Sequence, residues 1–309
     1  MAKIQIAAIL TVFNRKKKTL SCLRHLFDAM EAYNQQDTEK AKVAITIYMT
    51  DDGCTDGTTD AVKDAFPLHD IHIIQGTGSL FWAGGMRLAW QTAIDSGTAW
   101  EYFLLLNDDT NVWSNLFDEL FGADTYGFNK TGRHGLSSGI TCQPNQTEKI
   151  TYGGFIFESN AKGVHVLAQP AGGPQAVDMT HANILLIHHQ VVDDCGIFYK
   201  GYIHGVADED YCMMAKRKKF PTMVTAHVCG ECPNDHYSQE QEANMLMGLS
   251  LAERRKYVNN PTHSDSDYLL FVRRNLPLRF PVAWLMRQIR LYWPKIYYQI
   301  TLFRGVYKE

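Results

Sequence analysis

No stretch of this 309-residue chain is long and charge-free enough to span a bilayer, so a membrane-crossing helix is not expected. Met1-Ala2-Lys3-Ile4 opens straight into a strand-like run, without the pattern of a secretory signal. A basic excess is missing too. The chain has 30 Lys and Arg against 33 Asp and Glu, a net of −3, which argues against a generic nucleic-acid binder. The 7 cysteines (22, 54, 142, 195, 212, 229, 232) are odd in number and scattered, which is no disulfide framework. Without an export signal they are expected as reduced thiols in the cytoplasm. Cys229-Gly230-Glu231-Cys232, with His227 and His236 nearby, lacks the second cysteine pair of a zinc finger and reads as a loop of small buried thiols. The glycine-rich run from Gly76 to Gly85 lacks the Lys-Ser/Thr of a P-loop and the full dinucleotide fingerprint. Internal repeats and low-complexity linkers are absent.

What is present is a folded composition, 45% hydrophobic and 20% charged. The first third alternates strand and helix. Residues 4–12, 43–50, 71–74 and 102–106 read as buried strands, and 18–33, 58–66 and 84–94 as helices. Such alternation predicts an α/β fold, a Rossmann-like, mostly parallel sheet flanked by helices. After about Gly122 the pattern shifts to short β-like pieces at 149–158 and 164–167. A strand at 177–187 and helices at 188–195 and 208–219 follow. From Gln239 onward the chain reads as helical. The simplest division is a catalytic domain over 1–238 and a helical extension over 239–309. Within the domain, 1–122 would bind a nucleotide sugar and 123–238 an acceptor.

Three acidic clusters carry the chemistry. Asp51-Asp52-Gly53-Cys54-Thr55-Asp56-Gly57-Thr58 follows one strand, and Asn107-Asp108-Asp109-Thr110 follows another. Ligands bind at the carboxyl ends of strands in open α/β sheets. Adjacent acids there repel a bare phosphate but suit Mg²⁺ or Mn²⁺, which prefer oxygen ligands and can hold a diphosphate. The same residue types also form turns and helix caps. The third cluster, Asp208-Glu209-Asp210, opens a helix; it either offsets the helix dipole or supplies a general base. The tail over 279–304 interleaves Trp284, Tyr292, Trp293, Tyr297, Tyr298 and Phe303 with Arg287, Arg290, Lys295 and Arg304. An interfacial membrane helix and a helix packed on the domain, or on a second subunit of a homodimer, both fit that pattern.

Taken in order, these segments resemble the family 2 glycosyltransferases of the GT-A fold. The match runs over about residues 4 to 236 through Thr11-Val12-Phe13-Asn14-Arg15, the Asp51 cluster, Trp82-Ala83-Gly84-Gly85, Leu105-Leu106-Asn107-Asp108-Asp109-Thr110 and Asp208-Glu209-Asp210-Tyr211-Cys212. It is closest to the bacterial rhamnosyltransferase-like branch that builds surface polysaccharides. The resemblance implies a donor site of Thr11, Phe13, Asn14, Arg15, Asp51, Asp52, Trp82, Gly84, Gly85 and Asp108. Thr11 would lie beside the nucleobase and Asp51 would accept its imide N–H. Asp109 would ligate Mg²⁺ or Mn²⁺ at the donor diphosphate, with His227 or His236 as the family's late histidine. Asp208 falls where the family carries its base. Cys54 for Ser, Ala207 for the preceding acid and Met214 for Arg depart from the pattern and leave the base open between Asp208 and Asp210. The implied activity is inverting hexosyl transfer from a UDP or dTDP sugar to a saccharide or lipid-linked saccharide, at the inner face of the plasma membrane. The rivals are a sugar-1-phosphate nucleotidyltransferase, whose first loop needs glycines that Phe13-Asn14-Arg15-Lys16 lacks, and an inactive nucleotide-sugar-binding partner.

Overall fold

The structure, a computed structural model, describes residues 3–36, 39–159, 164–234, 237–263 and 265–304. Its first part alternates as the sequence implies: β1 (Ile4–Val12), α1 (Lys16–Gln35), β2 (Val43–Asp51), α2 (Thr58–Ala65), β3 (Ile71–Gln75), α3 (Phe81–Asp95) and β4 (Tyr102–Leu106). The short β5 (Asn111–Val112) and α4 (Leu116–Thr131) follow. Next come β6 (Leu136–Gln143), β7 (Gln146–Tyr152), β8 (Gly154–Ser159), β9 (Val164–Leu167), β10 (Gln175–Ala176), β11 (Met179–Thr180) and β12 (Ile184–His188). They lead into α5 (His189–Cys195), α6 (Ala207–Arg217) and β13 (Thr222–Glu231). The C-terminal extension is α7 (Gln239–Gly248), α8 (Leu251–Val258), α9 (Asp265–Asn275), α10 (Phe280–Tyr292) and α11 (Pro294–Arg304).

The main sheet runs β10-β13-β6-β12-β4-β1-β2-β3. The half made of β4, β1, β2 and β3 is parallel, and β12 joins it antiparallel to β4. Side chains alternate across a strand, and both faces of β1 are buried. Ile6, Ala8 and Leu10 pack with Leu23 and Leu26 of α1 and Phe117 of α4. Ala7 and Ile9 pack with Met86, Ala89 and Trp90 of α3 on the other face. A second sheet, β11-β8-β9, is antiparallel.

From β1 the chain moves outward to β2 and β3, then returns to place β4 on the other side of β1. The loops after β1 and β4 therefore leave in opposite directions, and a crevice opens beyond their carboxyl ends. All three strands that precede conspicuous polar loops end there: β1 before Phe13-Asn14-Arg15, β2 in Asp51, and β4 before Asn107-Asp108-Asp109.

One expected strand is two. The sequence suggests continuous β structure over 177–187, whereas β11 and β12 are separated by His181, Ala182 and Asn183. That break frees the Ala182 amide, which donates to Asp208.

Candidate active site

The loops after β1 and β2 hold each other. Asn14 sits at φ 52°, a left-handed conformation that Asn tolerates better than most residues. Its Oδ1 accepts the Thr55 amide at 2.7 Å, and its own N–H donates to Cys54 Sγ at 3.3 Å. The Lys16 amide, an orphan donor at the start of α1, is met by Asp56 Oδ2 at 2.9 Å. Phe13, at 57% exposed, projects from this corner.

Asp51 is buried, yet its carboxyl lies below the usual range. Burial pushes it up, but the Thr59 hydroxyl and the amides of Cys54 and Gly53 outweigh that. The Cys54 thiol is a fourth donor, so the roughly four acceptor positions of this carboxylate are taken in the structure. Asp52 is committed elsewhere. Its oxygens take the Gly78 amide at 2.8 Å and the Phe81 amide at 2.9 Å, which shapes the entry to α3.

Trp82 Nε1 donates to Asn107 Oδ1 at 2.8 Å, and its ring tilts on Phe198. Gly84 and Gly85 serve helix packing. A Cβ at Gly85 would lie 2.1 Å from Thr11 Oγ1 and 2.8 Å from Thr11 Cβ, so Thr11 occupies the room a side chain would need. A Cβ at Gly84 would meet Leu80 Cβ at 3.1 Å. The close approach at Gly85 is thus between α3 and β1. Gly85→Ala is expected to cost about 1–3 kcal/mol through overpacking. Thermal unfolding checks this; an unchanged midpoint would refute the clash, and Thr11→Ala in the same chain should relieve part of it.

Beyond β4, Arg15 bridges both acids. Its Nη1 lies 3.0 Å from Asp108 Oδ1 and 2.9 Å from Asp109 Oδ2. Lys18, in the first turn of α1, adds a contact to Asp109 Oδ2 at 3.5 Å. Thr19 donates to Asp108 Oδ2 at 3.2 Å. Burial pushes the Asp108 carboxyl up to about 6; Arg15 pulls it back and Asp109 repels it. Cys232 Sγ approaches Asp109 Oδ1 at 3.8 Å. Lys18 and Cys232 were not read from the sequence as site residues; the signal for Lys18 was the Lys16-Lys17-Lys18 run beside an acidic strand end.

His227, one of the two late-histidine candidates, does not join this group. β13 sets Gly230 and Glu231 opposite Val112 and Asn111, so Cys232 is the residue that reaches Asp109. His227 is exposed and hydrogen-bonds Glu119 of α4, Nδ1 to Oε1 at 2.7 Å. This corrects the expectation of His227 as a metal ligand. His236, the other candidate, lies outside the described residues. Among the described residues no three His, Cys, Asp or Glu side chains gather into a metal cage. Such a cage is not required for Mg²⁺-type ions, which are usually held by one or two carboxylates plus substrate phosphates. The adjacent oxygens of Asp108 and Asp109 fit that pattern, with Arg15 and Lys18 as the cations that now balance them.

The third cluster opens α6. Val206, the residue before the helix, is β-branched at φ 53°, a strained conformation that its surroundings must hold. Asp267 of α9 does so by accepting the amides of Ile203, His204 and Gly205 at 2.7–3.2 Å. Asp208, buried in the first turn, accepts the Ala182 amide at 2.8 Å and its neighbour Glu209's amide at 3.0 Å. Burial pushes its carboxyl up to about 6 against those two hydrogen bonds. Burial and then the Asp208 charge push Glu209 up to about 8. Among the described residues the Glu209 carboxylate has no hydrogen-bond partner, a property invisible in sequence. Asp210 is fully engaged by Arg274 and Asn275 of α9. Of the two base candidates, Asp208 is the one held by backbone amides rather than by an ion pair among the described residues. Ala182 touches Asp208, and Asn183 accepts the Asn107 amide at 3.2 Å, so the start of α6 is linked to the β4 end in two steps.

This arrangement, a mostly parallel half sheet extended by antiparallel strands and flanked by helices, is the GT-A fold. Among solved structures the chain is similar to the mannosyltransferase PcManGT from Pyrobaculum calidifontis in complex with GDP-Man and Mn²⁺. The TM-score is 0.52 at 14% identity, over 100% of this chain and 82% of that one. It also matches S. aureus TarS 1-349, with TM-score 0.49 and 12% identity, over 98% of this chain and 90% of that chain. At these identities the likeness is one of fold. No protein-family model and no curated sequence matches the chain.

Proposed function

We propose that this chain is an inverting glycosyltransferase of the family 2 type, moving a hexosyl unit from a nucleoside diphosphate sugar to a saccharide hydroxyl. The observation that carries this reading is an ionised Asp51 at the end of β2 and the Asp108-Asp109 pair after β4, the two strands that flank β1, together with a buried, proton-hungry Asp208 linked to the β4 end through Ala182 and Asn183. The acceptor oxygen attacks the anomeric carbon from the face opposite the diphosphate. The bond to the diphosphate breaks, the nucleoside diphosphate leaves, and Asp208 takes the hydroxyl proton. The sequence resemblance puts the base imide N–H at Asp51, which favours UDP or dTDP, and the Cys54 thiol is the donor it would displace there; the neighbour's GDP-Man keeps GDP in the test. A divalent ion held by Asp109, with Asp108, would neutralise charge on the leaving diphosphate. Arg15 and Lys18, which touch Asp109, lie where they can pass their charge to the donor phosphates. The sequence resemblance supports a product among bacterial surface polysaccharides, with a saccharide or lipid-linked acceptor.

Calorimetric titration with UDP, dTDP and GDP, each with and without Mn²⁺, tests the donor site. One nucleotide should bind in a metal-dependent way, and Asp109→Ala should lose the metal dependence. A folded chain that binds none of them, or an Asp109→Ala chain that binds as tightly as the parent with Mn²⁺, would refute the assignment.

A further inference from the structure

Helix α10 turns Phe280, Ala283 and Leu291 inward, yet it carries a second apolar face outward. Val282, Trp284 and Leu285 are each about half exposed, and Leu278 just before the helix is 94% exposed. Its cations point inward instead. Arg290 pairs with Asp265 of α9 and Glu242 of α7, and Arg287 donates to Asn259 Oδ1 at 2.7 Å. A helix packed on a water-soluble domain keeps its outer face polar instead. Leu278, Val282, Leu285 and Tyr292 recur at helical spacing, so they share one face. The strip continues past the corner into α11 through Trp293, Ile296 and Leu302, all exposed.

Charge divides along the same line. Residues 239–309 carry 11 Lys and Arg against 6 Asp and Glu, whereas residues 1–238 carry 19 against 27. The acids of the extension are largely turned inward: Glu242 and Asp265 onto Arg290, and Asp267 onto the amides before α6. Lys256, Arg273 and Lys295 remain exposed. Arg255, also exposed, reaches the Tyr292 hydroxyl at 3.4 Å, so a base stands at the rim of the strip.

We propose that α10 and α11 dock this protein on the surface of a bilayer containing anionic phospholipid, lying in the headgroup plane. Trp and Tyr flanking an apolar strip suit that interface, and a basic rim is drawn to anionic headgroups. No helix among the described residues is long and apolar enough to cross the bilayer, so the contact is in-plane. A second copy of the chain would also cover the strip, but it would bring two basic rims together, a like-charge juxtaposition that an anionic surface avoids. Because α9 packs against α10 and also clamps the start of α6, docking would hold the Asp208 side of the crevice at a fixed height over the lipid. The docking itself does not depend on the transferase reading.

The test is co-sedimentation of the full chain with vesicles of phosphatidylcholine alone or mixed with phosphatidylglycerol. The chain should pellet with the mixed vesicles, and less so as salt rises. The triple variant Trp284→Ser, Leu285→Ser, Trp293→Ser should bind at least about tenfold more weakly with its melting point kept, since affinity scales with buried apolar area. Lys256→Glu with Lys295→Glu should weaken only the phosphatidylglycerol-dependent part. Failure of the parent chain to pellet with mixed vesicles overturns the proposal, as does a triple variant that pellets like the parent. A dimer seen by light scattering that the triple variant dissolves, without vesicle binding, would assign the strip to a second copy and overturn it equally.

Discussion

Asp208→Asn is expected to lower turnover by about 10²- to 10⁴-fold while nucleotide affinity stays the same, because general-base help is worth that much. Asn keeps the shape and can still accept the Ala182 amide that Asp208 accepts at 2.8 Å, so the fold around α6 should survive. What is lost is a carboxylate able to take the acceptor's proton. Steady-state kinetics beside calorimetric donor binding separates the two. Unchanged turnover would remove Asp208 from the mechanism, and Glu209, the unpartnered carboxylate next to it, would become the candidate.

The same pair sets two opposite pH trends. The usual carboxyl values of 3.8 and 4.5 rise in the folded chain to about 6 at Asp208 and about 8 at Glu209. The folded state therefore binds more protons than the unfolded one between those limits. Their contribution to stability is fully present below about pH 4 and is lost as pH rises through 6 and 8. Turnover moves the other way, since only ionised Asp208 can accept a proton, so it should climb through about pH 6. Asp208→Asn should abolish that limb and flatten the lower part of the stability slope. Denaturant midpoints and rates across this range check both signs. A turnover profile flat from pH 5 to 7 in the parent chain would refute the assignment, since the range brackets the Asp208 value of about 6.

What could be read from the sequence follows from which forces are local. β1, β2 and β4 announce themselves because parallel strands buried on both faces are continuous apolar runs. β6 does not: its Ser137, Ser138, Gly139 and Thr141 are buried but polar or small. Helix α4 was hidden by Gly122 and Gly127, which look like breakers. Gly127 is needed because a Cβ there would meet Met223 Cγ at 3.2 Å, from a strand 96 residues away in sequence (223 minus 127). The acidic clusters were legible as clusters, since strand ends and turns are local. Their assignments were not. Asp52 shapes a loop, Gly85 accommodates Thr11, and Asp210 is spent on α9, because each choice depends on a partner that the fold alone brings near. Helix α10 shows the same limit. Its amphipathicity was plain, but which face meets the protein depended on Arg290 finding Asp265 and Glu242.

Arg274→Ala is expected to destabilise the protein by about 3–5 kcal/mol, the cost of removing one partner of a buried ion pair. Asp210 is only 1% exposed and takes Arg274 Nε at 3.1 Å on one oxygen and Nη2 at 3.2 Å on the other. Asn275 Nδ2 adds 2.6 Å but brings no charge, so without Arg274 the carboxylate is buried and uncompensated. Arg274 also stacks on Tyr199, with its guanidinium carbon 3.8 Å from the ring centre, so Arg274→Lys should not rescue it. Neutralising the other partner should help: Asp210→Asn together with Arg274→Ala should be less damaging than the sum of the single changes. Urea midpoints of the four proteins of this cycle give the coupling, and additive losses would show that the pair is not an anchor. The loss should also reach the chemistry. Asp210 lies on the same first turn of α6 as Asp208, and the Arg274 and Asn275 contacts and the Asp267 clamp tie α9 to that turn and to its strained entry at Val206. Turnover of Arg274→Ala, measured well below its melting point, should therefore fall even where the protein is folded, whereas a brace that served stability alone would leave it unchanged.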